Sequence, residues 1–148
     1  MKEAYGGILN IVFIVVFLVI IIGVLGLVFS YTKAFKMKNA IIATFEEYEG
    51  SGCGSGNTAC QKKITKEARD LAFNPASLNC GSQGFNDGGI YCYKVSSTRS
   101  KTINGRTNTY VTYKILVKVD IDFPIVEHIA GFRMFEVAGD TREIMLRS

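Results

Sequence analysis

The stretch IVFIVVFLVIIIGVLGLVF, residues 11–29, decides how the rest of the chain is read. Nineteen residues at about 1.5 Å each span roughly 29 Å as a helix, close to the roughly 30 Å of hydrocarbon in a bilayer. Val and Ile favour strands in water, but in lipid a lone segment must satisfy its own backbone, and only a helix does so. The segment is therefore expected to cross a membrane. A cleaved signal peptide is the competing reading, and its apolar region, usually about 7 to 15 residues, is shorter than this run.

Outward from this segment the composition becomes ordinary. The 148-residue chain is 48% apolar and 20% charged, with a mean hydropathy of +0.20 and a net charge of +4. Residues 8–29 hold 19 apolar residues, interrupted by Asn10, Gly23 and Gly26. The remainder is roughly 41% apolar, enough for one modest soluble domain and too little chain for a multidomain machine. Ile11, Val16 and Ile20 are taken as the lipid- or partner-facing positions, with Gly23 and Gly26 easing local packing or bending. Their spacing is not that of a GxxxG pair.

On the carboxyl side, YTKAFKMKNAIIATFEEYE continues a helical rhythm. Tyr31, Ala34, Phe35, Ile41, Ile42, Phe45 and Tyr48 recur at three- and four-residue steps. One helix is expected over 8–49, about 63 Å long, greasy all round over 8–30 and amphipathic over 31–49. Gly50 ends it, and eight of the 15 glycines fall between 50 and 89, marking loops. Within them QKKITKEARDLAF predicts a short surface helix at about 62–73, stopped by Asn74-Pro75.

The last third predicts strands. Val111, Tyr113, Ile115, Val117, Val119, Ile121 and Phe123 alternate with mostly polar residues, the pattern of a half-buried strand. Shorter strands are expected at 90–95 and within 133–144, and Asn104-Gly105 is a hairpin signal. A two-residue turn there pairs positions summing to 209 and turns Tyr91, Tyr93 and Val95 onto the polar face. Either a bulge or longer loop within 97–108, or a second layer over Leu116, must resolve this conflict. The short helix is a candidate for that layer, and the polar stretch SSTRSKTINGRTNT favours the loop. The fold class is α+β: a long helix laid on a small antiparallel sheet, with Phe35, Ile41, Ile42 and Phe45 meeting Ile115, Val117, Val119 and Ile121.

Four cysteines, Cys53, Cys60, Cys80 and Cys92, lie in the region 50–148 without zinc-like spacing, which suits disulfides in an oxidising compartment. Three connectivities are possible, and short glycine-rich loops favour Cys53 with Cys60 and Cys80 with Cys92. Lys33, Lys36 and Lys38 after the segment argue for a cytoplasmic carboxyl side by the positive-inside tendency. Long domains translocate largely regardless of such charge, so the cysteines decide and the head is expected outside.

A greasy-then-amphipathic helix against a small disulfide-bearing sheet resembles a type IV pilin or pseudopilin. The closing stretch DFPIVEHIAGFRMFEVAGDTREI, with Phe123-Pro124, Phe135-Glu136-Val137 and Gly139-Asp140-Thr141-Arg142, resembles that of TadE-like minor pilins. The resemblance implies a structural or assembly subunit of a filament, partnered by the bilayer, by pilin-like subunits along the helix and by an assembly platform. It implies a leader-like stretch at 1–7 with a cut at Gly6 or Gly7, and a glutamate five residues on. Ile11 or Val12 stands there instead, and Asn10 is the nearest polar residue. The alternative is a single-pass anchored extracellular binding domain that forms no filament.

No catalytic, metal or cofactor site is expected. His128, the single histidine, lacks an orienting partner in sequence, and Asp120 with Asp122 offers too few oxygens for calcium. Lys62, Lys63 and Lys66, and Arg99, Lys101 and Arg106, form basic clusters without an aromatic stacking platform. They read as solvated faces, with nucleic acid and small-molecule substrates not expected as partners.

Overall fold

The structure is a computed structural model that describes residues 2–54, 56–73, 75, 79–103, 106–120 and 134–146. Helix α1 (Lys2–Glu47) runs 46 residues without a break, roughly 69 Å at helical rise. It starts before the expected position 8 and stops two residues before 49, where Glu49 and Gly50 take positive φ and turn the chain back. Helix α2 (Ala59–Asp70) begins earlier than expected because Thr58 caps it, its hydroxyl accepting the Gln61 N–H. A 3-10 turn (Cys80–Gln83) precedes the strands β1 (Asn86–Asp87), β2 (Cys92–Ile103), β3 (Arg106–Asp120), β4 (Met134–Asp140) and β5 (Ile144–Leu146).

All strand pairings are antiparallel, and β3 is the central strand. It pairs with β2 along one edge and with β4 and β5 in turn along the other, while β1 caps the start of β2. Ala34, Met37, Ile41 and Phe45 of α1 are fully buried against Tyr91, Ile115, Val117, Val119 and Val137. Ile64 and Ala68 of α2 close the same core from the side.

The expected core face of α1 is corrected at one position. Phe35 is 43% exposed, stacked near Tyr31 with Lys38 Nζ 4.2 Å above its ring. The buried row is 34, 37, 41, 44 and 45, and Ile42 packs at its margin. The row turns inward at small Ala34 and flexible Met37, so the bulkier neighbour Phe35 is rotated onto the outer surface. Ile121, Phe123 and His128, together with Asp122, lie outside the described residues.

The register conflict is resolved twice over. From Ser97 to Ile103 the partners sum to 209, as the tight turn demands; a bulge between Val95 and Ser97 then shifts the sum to 208. Tyr93 consequently faces Ile115, so Tyr91 and Tyr93 point into the helix-covered core. The bulge sits just outside the expected 97–108 window, and the described residues of that window, 97–103 and 106–108, are paired as a ribbon rather than a loop. Leu116, on the opposite face, is covered by the Cys80–Cys92 bridge and Phe85 rather than by α2, which packs on α1.

Candidate functional site

Two surfaces could carry function: the bare half of α1 and the disulfide-braced head. On α1, Ile11, Val16 and Ile20 are half-exposed or more, and the ring residues Phe13, Phe17 and Phe29 are 65%, 64% and 66% exposed. Gly7–Glu47 is long and apolar enough to cross a membrane. Gly23 and Gly26 are buried, Gly26 lines a pocket with Phe29, Ala72 and Phe73, and a Cβ on Gly23 would meet nothing within 4 Å. Leaving this row in water forfeits on the order of 20 kcal/mol, more than the stability of a typical domain. Some apolar medium must cover it.

Two disulfides brace the head, Cys53–Cys60 and Cys80–Cys92. Cys53, Cys60 and Cys92 are buried, so the first bridge sits inside the core and the second underlies the sheet's opposite face. A polar hub that the sequence reading missed holds the first in place. Gln61 is buried, and its amide nitrogen lies 2.9 Å from the Gly88 carbonyl and 3.3 Å from Tyr91 Oη. Tyr91 Oη in turn donates to the Cys53 carbonyl. One glutamine thus ties α2, the 51–57 loop and the start of β2 together. No periodicity marks a lone buried Gln, which is why sequence could not find it.

Burial pushes the Tyr91 phenol well above its ordinary pKa, with nearby Tyr93 adding to the shift. Burial raises Tyr113 in the same direction. Phe45 centres these rings, 5.6 Å from Tyr91 and Tyr93 and 5.5 Å from Tyr113. This aromatic cluster packs the sheet against the end of α1.

The closing motif has a local structural role where it is described. Gly139 lies beneath α1 against Ile42 and Lys38. Buried Thr141 exchanges bonds with Tyr113, its hydroxyl accepting at 3.0 Å and its N–H donating at 2.9 Å. The Arg142 N–H donates to Glu46 Oε1 at 2.8 Å. Together these pin the β4–β5 corner to the end of α1.

Among the described residues no group of three or more His, Cys, Asp or Glu side chains could hold a metal ion. Asp120 is exposed at the end of β3. Lys63 pairs with Glu47, a bond that raises its pKa, and Arg99 pairs with Glu143 at 3.5 Å. Compared with protein-family models, curated proteins and solved structures, the chain matches none.

Proposed function

We propose that the protein is a minor pilin or pseudopilin, a structural or assembly subunit of a tight-adherence or type IV-like filament. The observation that carries this reading is the division of labour within α1. Its first half is bare and apolar around its circumference, while its second half supplies the wall on which the sheet is laid. A helix of that kind can exchange lipid for neighbouring apolar helices at little hydrophobic cost, so one rod serves both for storage in the bilayer and for packing in a bundle. The two disulfides favour a head in an oxidising, extracellular compartment.

A photo-crosslinking residue at Val16 tests the reading in intact cells. Crosslinks to pilin-like subunits within sheared surface filaments are the expected result. Crosslinks to lipid alone would overturn it in favour of a solitary anchored binding domain. Val16→Lys should also remove the protein from filaments, since a charge at the centre of an apolar helix costs about 2.5 to 3.5 kcal/mol on insertion.

A further inference from the structure

The head comes down onto the greasy segment. Ala72 and Phe73, just past α2, and Val119 and Asp120, at the end of β3, share a cavity of about 470 Å3 with Ile22, Leu25, Phe29, Ser30 and Lys33 of α1. That volume falls within the roughly 300–1,000 Å3 of small-ligand sites. Phe73 and Val119 are buried, so the core holds the head's side of the cleft in place. Ile22, Leu25 and Phe29 stay half-exposed or more, so the head does not close over the helix side, and the cleft is continuous with the bare apolar surface of α1.

Along α1 the lining changes character in one direction. Ile22, Leu25, Gly26 and Phe29 come first, then Ser30 and Lys33, and from Ile22 to Lys33 the helix rises about 16 Å. One leaflet supplies about 15 Å of hydrocarbon, half of the roughly 30 Å bilayer core. The gradient therefore has the length and direction of a lipid in the leaflet on the head's side, its tail toward the bilayer centre and its phosphate at the level of Lys33.

The cleft also carries both signs of charge. Lys33 and Asp120 are exposed, and neither makes an ion pair among the described residues. A cation and an anion in one cleft match a zwitterionic headgroup, the Lys33 ammonium meeting its phosphate and the Asp120 carboxylate its amine. An apolar helix from a second copy would replace the tail but leave both charges desolvated and unpartnered. A free phosphate would gain nothing from the apolar walls and would be repelled by Asp120.

We infer that the cleft between α1 and the head binds one zwitterionic phospholipid, its tail along Ile22, Leu25 and Phe29, its phosphate at Lys33 and its amine at Asp120. The inference rests on the membrane placement of α1 and holds whether or not the chain enters a filament.

The test places the full chain in phosphatidylglycerol nanodiscs doped with phosphatidylethanolamine bearing a photoreactive acyl chain, or with phosphatidylglycerol or diacylglycerol probes of the same chain. Labelled residues are mapped after irradiation and digestion. The ethanolamine probe should label Ala72 and Phe73 about fivefold more than the glycerol probe, the upper range for an exposed ion pair, and diacylglycerol should label them least. All three should label α1 before Val19 equally. Lys33→Ala should lower labelling of Ala72 and Phe73 by both phospholipid probes about fivefold, Asp120→Asn only that by the ethanolamine probe, and Lys36→Ala neither. Equal labelling of Ala72 and Phe73 by the three probes would overturn the inference, as would labelling there that neither Lys33→Ala nor Asp120→Asn changes. So would a photo-crosslinking residue at Leu25 that captures residues 121–133 or a second copy of the chain in place of lipid. Recovery of the chain outside the discs would overturn the membrane placement and the lipid site together.

Discussion

Gly139 lies directly beneath Ile42: a Cβ built on Gly139 would stand 2.9 Å from Ile42 Cδ1 and 3.0 Å from Lys38 Cδ. Both obstacles are the free ends of flexible side chains on α1. Gly88 meets a harder wall, since its Cβ would fall 2.5 Å from two carbons of the Tyr91 ring, which is itself held by Cys53 and Gln61. Gly139→Ala is therefore expected to cost under about 1 kcal/mol and Gly88→Ala about 2 to 3 kcal/mol, as overpacking of a fixed neighbour does. Chemical denaturation of the two variants checks the order, and equal costs would refute the distinction between soft and rigid contacts.

The bulge between Val95 and Ser97 leads to a second prediction. Val95 faces Tyr113 and Ser97 faces Thr112, so Ser96 is the extra residue. Deleting it lets both registers join as a regular ladder, and the variant should fold with its disulfides formed and a melting temperature within a few degrees. Deleting Lys114 from the central strand has no such remedy. Every residue on one side of the gap changes face, and inward Ile115, Val117 and Val119, worth about 1.5 to 3 kcal/mol each, are turned outward. That variant should be recovered unfolded or not at all.

Much of this ladder was legible beforehand. The alternation of Val111 to Val119 fixed β3 and its inward face, and the turn arithmetic at Asn104-Gly105 exposed a conflict that required either a bulge or a second layer. The fold uses both. What remained hidden was non-local. Whether Phe35 or Met37 faces inward depends on where the sheet crosses α1, which a period of 3.6 leaves uncertain by one position. Polar STRSKT, residues 97–102, looked like a loop because both of its faces are wet, although each of these residues is paired with β3. Among the candidate functional residues, the greasy helix was plain from hydropathy, whereas Gln61 left no sequence signal because its partners come from positions 53 to 91.

The two disulfides should differ in what their loss disturbs more than in how much. Their sequence separations of 7 and 12 correspond to about 2 to 3 kcal/mol each by loop entropy. Replacing Cys53 and Cys60 with Ala opens the core beside Gln61 and Tyr91, so near-ultraviolet dichroism from the tyrosine cluster should fall together with stability. Replacing Cys80 and Cys92 should lower stability while leaving that signal largely intact, because Leu116 and Phe85 lie on the other face. The opposite assignment of spectral loss would contradict this placement of the two bridges.

Alkaline pH should unfold the head through Tyr91. Its folded pKa lies above the unfolded value near 10 because the buried hydroxyl resists ionisation, and Tyr113 is shifted the same way. The folded state therefore holds more protons than the unfolded state above about pH 10. This contribution to stability is complete below pH 10 and declines as pH rises, by at most about 1.4 kcal/mol per unit for one fully shifted phenol. Tyr91→Phe should be less stable at pH 8, by about 1 to 3 kcal/mol, because Gln61 and the Cys53 carbonyl lose a buried partner. Between pH 9.5 and 11 its stability should fall less steeply than that of the parent, so the two curves converge. Unfolding free energies measured across that range, with parallel curves as the contrary result, decide whether this hydroxyl is the group that titrates.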